Sequence, residues 1–235
     1  FDIKEVFFNK DYEPYAIKRD SAICELLETN NAIPFSFKDQ VIFEEKEITK
    51  ADGLPYTVYT PFKNKWLEKY KSMAPVLEYD ATDVFSNFHK CDFVFPSLEQ
   101  IGFEKSPIKV KPHNLKFIAN YQDIRDFPAL DQTSYLSPHL SFGTVSIRKL
   151  VNWAFHKNDV FLSELIWREF FMQILFSFPR VVTQNFKSAY DGIQWRNNEE
   201  DFKRWCTGTT GYPMVDAGMR QLNGTGFIHN RVRMV

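Results

Sequence analysis

Glu164-Leu165-Ile166-Trp167-Arg168-Glu169-Phe170-Phe171 is the stretch whose reading decides the fold of the second half of this chain. At ~100° per residue of an α-helix, Glu164, Trp167, Arg168 and Phe171 fall on one stripe. Phe161, Leu162, Leu165, Ile166, Phe170, Ile174 and Leu175 cover most of the remaining circumference. A helix apolar almost all round is buried, and a buried charge is costly unless paired or hydrogen-bonded. Glu164 and Arg168 therefore need either each other, as an i,i+4 pair with the acid on the favoured N-terminal side, or a polar ligand. The indole between them shifts the balance toward a ligand, because its flat face suits a planar ring such as a nucleobase or a flavin. The helix is expected to line a cavity.

The helix stops at Pro179, which lacks the N–H to continue it. Upstream, Ile147, Leu150, Val151, Ala154 and Phe155 repeat at helical spacing behind the N-cap candidate Ser146. Leu115, Ile118, Tyr121 and Ile124 recur about once per turn before that. Downstream, Pro213 suits a first helical turn, Asn223-Gly224 is a left-handed cap candidate, and Phe227 to Val235 begins another helix. From Asn114 on, the pattern is helical throughout. Residues 1 to about 50 differ: Glu5 to Phe8, Tyr15 to Asn30 and Val41 to Phe43 read as β-α-β, part of a parallel α/β layer. Residues 51–113 are irregular and rich in Pro and Lys, with one helical stretch from Phe62 to Met73, and read as a connector. The chain opens on Phe1 directly before a strand and stops inside a helix at Val235, so it is expected to be truncated at both ends.

Composition narrows the function class. The 235 residues permit one large or two small domains, and a net charge of −1 removes any global basic field, so nucleic-acid binding must come from a local patch. Phe alone occurs 24 times, which suits an aromatic-lined cavity or a Phe-packed helical core. Cys24, Cys91 and Cys206 are odd in number and far apart, which indicates neither a disulfide framework nor a zinc site and points to a reducing, cytoplasmic setting. No apolar run approaches the ~20 residues of a membrane span. The Gly-containing turns at 208–211 and 224–226 lack the P-loop Lys and the dinucleotide fingerprint.

Three further clusters carry polar chemistry. Thr133-Ser134-Tyr135-Leu136-Ser137 concentrates hydroxyls and backbone donors suited to a diphosphate, or is simply a turn leading into a helix. His229-Asn230-Arg231-Val232-Arg233-Met234 sets Asn230 and Met234 one turn apart among arginines, as a pocket wall or a solvated basic helix end. Arg125 before Asp126-Phe127-Pro128 suits either a helix dipole or a phosphate.

Taken with Tyr12-Glu13-Pro14, Thr60-Pro61-Phe62 and Gly211-Tyr212-Pro213 through Leu222, these pieces occur in the order and spacing of the DNA photolyase and cryptochrome family. The chain resembles that family over essentially its whole length, and within it most a class I cyclobutane pyrimidine dimer photolyase. The resemblance implies an α/β N-terminal remnant of a Rossmann-like antenna domain (1–50), a long connector (51–113) and the first part of an all-α FAD-binding domain (114–235). It implies light-driven repair, in which reduced FAD passes an electron to a flipped-out pyrimidine dimer; the family's other branch, the cryptochrome photoreceptors, offers a flavoprotein without repair. Tyr121, Thr133, Ser134, Tyr135, Leu136, Ser137, Phe161, Glu164, Arg168 and Asn230 look like flavin contacts. Glu164, Trp167, Asn230 and Met234 look like the walls of the dimer pocket. Arg125, Trp167, Arg231 and Arg233 look like DNA contacts, and Trp195 like the outer member of an electron-transfer chain whose inner tryptophans would follow Val235.

The implied partner is dimer-containing DNA, met by a monomer without metal or membrane attachment. Phe161 stands where relatives often carry Trp, and Pro14-Tyr15-Ala16 departs from the polar pair that holds folate in some relatives, so the antenna chromophore, folate or deazaflavin, is left open. Six-four photolyases place histidines where this chain has Asn230 and Met234, which argues against that substrate. Glu164 could act protonated, as desolvation favours, or ionised through its neighbours.

Overall fold

A computed structural model of the chain describes residues 2–73, 82–90 and 92–234. Its elements run β1 (Glu5–Asn9), α1 (Pro14–Thr29), β2 (Ile33–Phe37), α2 (Tyr59–Ser72), α3 (Tyr121–Ile124), α4 (Leu136–Ser141), α5 (Ile147–Phe155), α6 (Asp159–Ser177), α7 (Glu199–Thr207), α8 (Pro213–Thr225) and α9 (Asn230–Arg233). They fall into two compact units, Phe1–Ala74 with Lys116–Asp123 and Phe142–Arg196, and Pro75–Leu115 with Ile124–Ser141 and Asn197–Val235. The expected termini Phe1 and Val235 and the third cysteine, Cys91, lie outside the described residues, and Cys24 and Cys206 are free thiols.

The first unit opens with the predicted β-α-β unit, but its second strand is Ile33–Phe37, paired parallel to β1 with Glu5 opposite Ile33 and Phe7 opposite Phe35. Val41 to Phe43, expected as that strand, is instead an irregular strap whose three side chains are buried. Its backbone N–H groups are taken by a side chain rather than by a neighbouring strand, which is the only other way to bury them without loss. Helix α1 starts with Pro14 at its first position, as the missing N–H allows. Of its apolar residues Ile23 and Leu26 remain exposed, because a two-stranded sheet covers only a narrow strip of a sixteen-residue helix.

Helix α2, inside the stretch read as connector, buries Phe62, Trp66 and Tyr70 and packs against α6. Helix α5 begins at Ser146 as predicted, whose hydroxyl accepts from Lys149 N, and buries Ile147, Leu150, Val151 and Ala154 against α6. The repeat from Leu115 to Ile124 resolves into a 3₁₀ turn at Ile118–Asn120 that runs into the single turn α3.

In the second unit, α7 ends at Gly208 in the left-handed conformation and packs on α8. The buried Asp216 carboxylate holds the loop before α8, accepting from Thr210 N at 2.7 Å, Thr210 Oγ1 at 2.6 Å and Gly211 N at 3.1 Å. Gly224, predicted as the cap of α8, lies within the helix; Gly226, at φ +67°, ends it two residues later. The helix expected over Phe227 to Val235 is a single turn, Asn230–Arg233, with His229 as its N-cap. A Cβ on Gly218 would overlap the Val232 side chain, so glycine lets α8 and α9 approach closely. Among the described residues no helix is long and apolar enough to cross a membrane, and no group of His, Cys, Asp and Glu is arranged to hold a metal ion.

Candidate functional site

Helix α6 carries the first half of the expected site. Asn158 caps it by accepting from Phe161 N at 2.9 Å, and the same side chain donates to Gln122 Oε1 at 2.8 Å and Ala119 O at 3.2 Å. Of the predicted apolar arc, Phe161, Leu162, Leu165, Ile166 and Phe170 are buried, whereas Ile174 and Leu175 are half-buried. On the predicted stripe Glu164, Trp167 and Arg168 are half-buried and Phe171 is open, and Ser163, half-buried, adjoins it. Tyr121 is half-buried with its ring edge-on to Phe161 at 5.3 Å, so two of the expected flavin contacts touch one another.

Trp167 lies flat on Tyr59 of α2, with ring centroids 3.5 Å apart and planes within 9°. Phe171 extends the stack at 5.4 Å and 23°. Tyr59 is fixed by its hydroxyl, which donates to Ser163 O at 2.7 Å and lies 2.6 Å from Ser163 Oγ. Burial pushes the Tyr59 phenol up to about 12, so it keeps the proton it donates. Nothing in the sequence singled out Tyr59, because its partner Trp167 lies more than a hundred residues away.

Arg168, expected to pair with Glu164 or with a ligand, donates from Nη1 to the carbonyl of Gln40 at 2.7 Å. Burial lowers its pKa, and the charge that opposes this shift belongs to Glu169. Glu169 is 3% exposed and is the charged residue that the sequence reading missed. It accepts from Ile42 N at 2.7 Å, Phe43 N at 3.1 Å and Trp66 Nε1 at 2.8 Å. Desolvation raises its carboxyl to about 7 against the pull of those three donors and of Arg168. The signal was available: about 140° round the helix from Glu164, Glu169 sits on the apolar arc, where an acid needs an explanation.

Within the second unit, Tyr135 and Leu136 are buried and Ser137 is exposed. Tyr135 adopts φ +54°, a left-handed conformation that side chains with a Cβ occupy at a cost. Its hydroxyl binds Asp131 in a short hydrogen bond and accepts from Lys111 Nζ at 3.0 Å, and Lys111 bridges to Asp131 at 3.0 Å. Those hydrogen bonds hold Asp131 below the usual carboxylate range, that from Tyr135 first. The Ser134 carbonyl accepts from Asn114 N at 2.8 Å. Thr133 Oγ1 is buried with no hydrogen-bond partner, an orphaned polar atom in the run expected to meet the flavin phosphates. A strained backbone and an unsatisfied hydroxyl side by side fit a polar ligand at this turn.

Three expected residues of the C-terminal segment are open: Asn230, Arg233 and Met234. Arg231 donates from Nε to Asp126 Oδ1 at 2.5 Å, and Arg125 Nε lies 3.6 Å from the same oxygen. Asp126 is thereby held below its ordinary pKa, chiefly by Arg231. His229 is buried, accepts from Arg231 N on Nδ1 at 3.2 Å, and has its pKa lowered by burial. Trp195 is 68% exposed in a stretch of the first unit that is open throughout.

An α/β opening followed by a helical second half makes this a two-part chain of mixed class. Comparison with known proteins agrees: the family described as DNA photolyase matches residues 1–88, and the FAD binding domain of DNA photolyase matches residues 161–235. The chain is similar to the deoxyribodipyrimidine photo-lyase of Halobacterium salinarum, at 35% identity over 100% of this chain and 54% of that protein. Among solved structures, a class III photolyase from Agrobacterium tumefaciens superposes with a TM-score of 0.72 at 28% identity, covering 98% of this chain and 53% of that one. An archaeal photolyase from Sulfolobus tokodaii, solved with two FAD molecules, gives 0.68 at 28% identity, covering 98% and 52%. The chain belongs to the DNA photolyase and cryptochrome family. It spans about half the length of the curated relatives it matches.

Proposed function

We propose that this chain contributes the FAD- and dimer-contacting surfaces of a deoxyribodipyrimidine photo-lyase, a lyase that splits cyclobutane pyrimidine dimers in DNA under blue light. The observation that carries this reading is the half-open stripe of Glu164, Trp167 and Arg168 on an otherwise buried helix, inside the segment similar to the FAD binding domain of photolyases. When bound, reduced FAD supplies the light-driven electron that opens the dimer ring.

The chain's own residues bind and orient. A pyrimidine dimer stacks poorly in its duplex and is cheap to extrude; photolyases are among the standard examples of base flipping. Trp167, held in a stack with Tyr59 and Phe171, gives the extruded dimer a rigid aromatic wall, which reduces the ordering cost of binding. Glu164 on the same stripe hydrogen-bonds the dimer's polar edge, and in the second unit Asn230 and Met234 offer open side chains for dimer contact. Arg168 and Phe161 lie beside the flavin ring system, with Tyr121 and Asn230 contributing further contacts. The 133–137 run takes the phosphates and ribityl chain, its Thr133 hydroxyl finding there the partner it lacks. Arg125, Arg231 and Arg233 meet DNA phosphates, which makes affinity fall with salt. Trp195, exposed, passes electrons from outside toward the flavin. A monomer in the reducing cytoplasm suits these roles.

The test combines flavin and DNA. A full-length protein that contains this chain is expected to retain FAD, to bind ultraviolet-irradiated DNA in the dark and to release intact thymines under blue light. Flavin retention without thymine release would favour the photoreceptor branch. Trp167→Ala is expected to weaken dark binding to dimer-containing DNA by about 1–3 kcal/mol, the range for base stacking on an aromatic ring. Unchanged affinity would remove Trp167 from the pocket.

A further inference from the structure

The strap at residues 40–43 is held at both ends by consecutive residues of α6. Arg168 donates to the Gln40 carbonyl at 2.7 Å, and Glu169 accepts the N–H groups of Ile42 and Phe43 at 2.7 and 3.1 Å. Gln173, one turn on, adds a contact to the Phe43 carbonyl at 3.3 Å. Trp66 closes the arrangement from α2, donating to Glu169 at 2.8 Å while its ring meets that of Phe43 edge-on at 5.3 Å.

Geometry gives this clamp a direction. The strap belongs to no sheet and has no neighbouring strand to fix it, so the place of the Gln40 carbonyl depends on what holds the two N–H groups just after it. Arg168 carries a long side chain with several soft torsions, and the Gln40 carbonyl is what orients its guanidinium in this unit. We infer that Glu169 is a positioning residue: by gripping the strap at Ile42 and Phe43 it fixes the Gln40 carbonyl, and through it the guanidinium of Arg168 on the stripe beside Trp167. The consequence for a flavin rests on the reading of Arg168 in the proposed function, but the positioning itself does not.

Glu169→Gln tests this, because an amide keeps one acceptor oxygen for Phe43 and Trp66 while setting an NH₂ against the Ile42 N–H. At pH 8, exchange of the Ile42 and Phe43 amides is expected to quicken by about tenfold or more, the equivalent of one buried hydrogen bond. The guanidinium proton signals of Arg168, followed by NMR without any flavin, are expected to broaden or shift. FAD affinity is expected to fall by about tenfold, and this loss is expected to vanish in an Arg168→Met background, since a residue acting through Arg168 has nothing left to position.

An equal loss of FAD affinity in both backgrounds would show a merely structural role and overturn the inference, as would unchanged guanidinium signals. If the chain retains no FAD at all, the proposed function fails while the guanidinium signals still decide the positioning. Should Glu169→Gln fail to fold, Trp66→Phe removes one donor and keeps a ring in place; it is expected to perturb the same Arg168 signals to a smaller extent, and unchanged signals would equally overturn the inference.

Discussion

Helix α6 in the first unit and the single turn α9 in the second each carry expected site residues, and they are built in opposite ways. On α6 the exposed stripe is rigid because everything behind it is packed: five apolar residues, a buried carboxylate with three donors, and a tyrosine stacked on Trp167. On α9 the expected residues Asn230, Arg233 and Met234 are open, Met234 at 73%, and the turn is placed by its cap His229, by the glycine that lets Val232 approach α8, and by Arg231 on Asp126. The contrast teaches that candidate site residues in the two units need not share a mode of support. One side is held by burial, the other by caps and charge.

The most damaging change on the α6 side is expected at Trp66, which is 1% exposed and both fills the core and donates to Glu169. Trp66→Ala is expected to cost about 3–5 kcal/mol, measured by urea unfolding, from the cavity it leaves, with a further loss because Glu169 Oε1 keeps only the Phe43 N donor. A cost under about 1 kcal/mol would mean that the core behind the stripe can close up without the indole, and the contrast with α9 would fail.

Glu169 sharpens the comparison through pH. Desolvation raises its folded carboxyl from the ordinary carboxylate range to about 7, so folding favours the protonated form. The stability it contributes is therefore present in full below the unfolded value and is lost as pH rises through about 7. Urea midpoints of the chain are expected to fall between pH 5 and 8, and Glu169→Gln is expected to flatten that slope. Arg168 opposes the shift, and Tyr12 senses the same carboxylate. A profile of the same slope in the variant would place the titration elsewhere.

How much of this was legible follows from the range of each interaction. The buried arc and open stripe of α6, the Ser146 cap and the stop at Pro179 were all readable, because they depend on residues within one or two turns. The strap was misread as a strand because Val41-Ile42-Phe43 is apolar in either role, and what separates the roles is Glu169, more than a hundred residues on. Arg168 was given Glu164 as its alternative to a ligand, since a backbone carbonyl at Gln40 leaves no mark in side-chain pattern. The end of α8 lies two residues beyond the expected cap because Asn223-Gly224 and Gly226 are both competent caps, and Gly226 is the one that takes the left-handed conformation. Thr133 to Ser137 was singled out for its hydroxyls, yet the strained φ at Tyr135 and its tie to Lys111 and Asp131 are tertiary facts.

At the start of α6, Asn158→Ala removes an acceptor from Phe161 N and two donor contacts to the 119–122 segment. A cost of about 1 kcal/mol is expected from the cap. If α6 is rigid because of its packed back, the loss is expected to stay local: amide protection should fall over the first turn only and persist at Leu165 and beyond. Fraying that reached Trp167 would show that the cap, and not the core, steadies the stripe, making α6 more like α9.

The smallest effect is expected at Asp126, where the α9 side can be tested by charge alone. Asp126 accepts from Arg231 and has Arg125 close by, so its carboxylate occupies a place that a DNA phosphate would otherwise take, if those arginines meet DNA as proposed. Replacing it by asparagine keeps the shape and removes one negative charge from the patch. Dark affinity for DNA, damaged or not, is then expected to rise slightly at low salt and to fall more steeply as salt increases, with the slope of log affinity against log salt larger by about one. A backbone contact carries no base information, so the preference for irradiated over intact DNA should remain as it was. An unchanged slope would mean that Arg231 serves only to hold α9 against Asp126. The turn would then be a structural counterpart of the strap on α6, with two charged residues fixing a segment rather than reading a backbone.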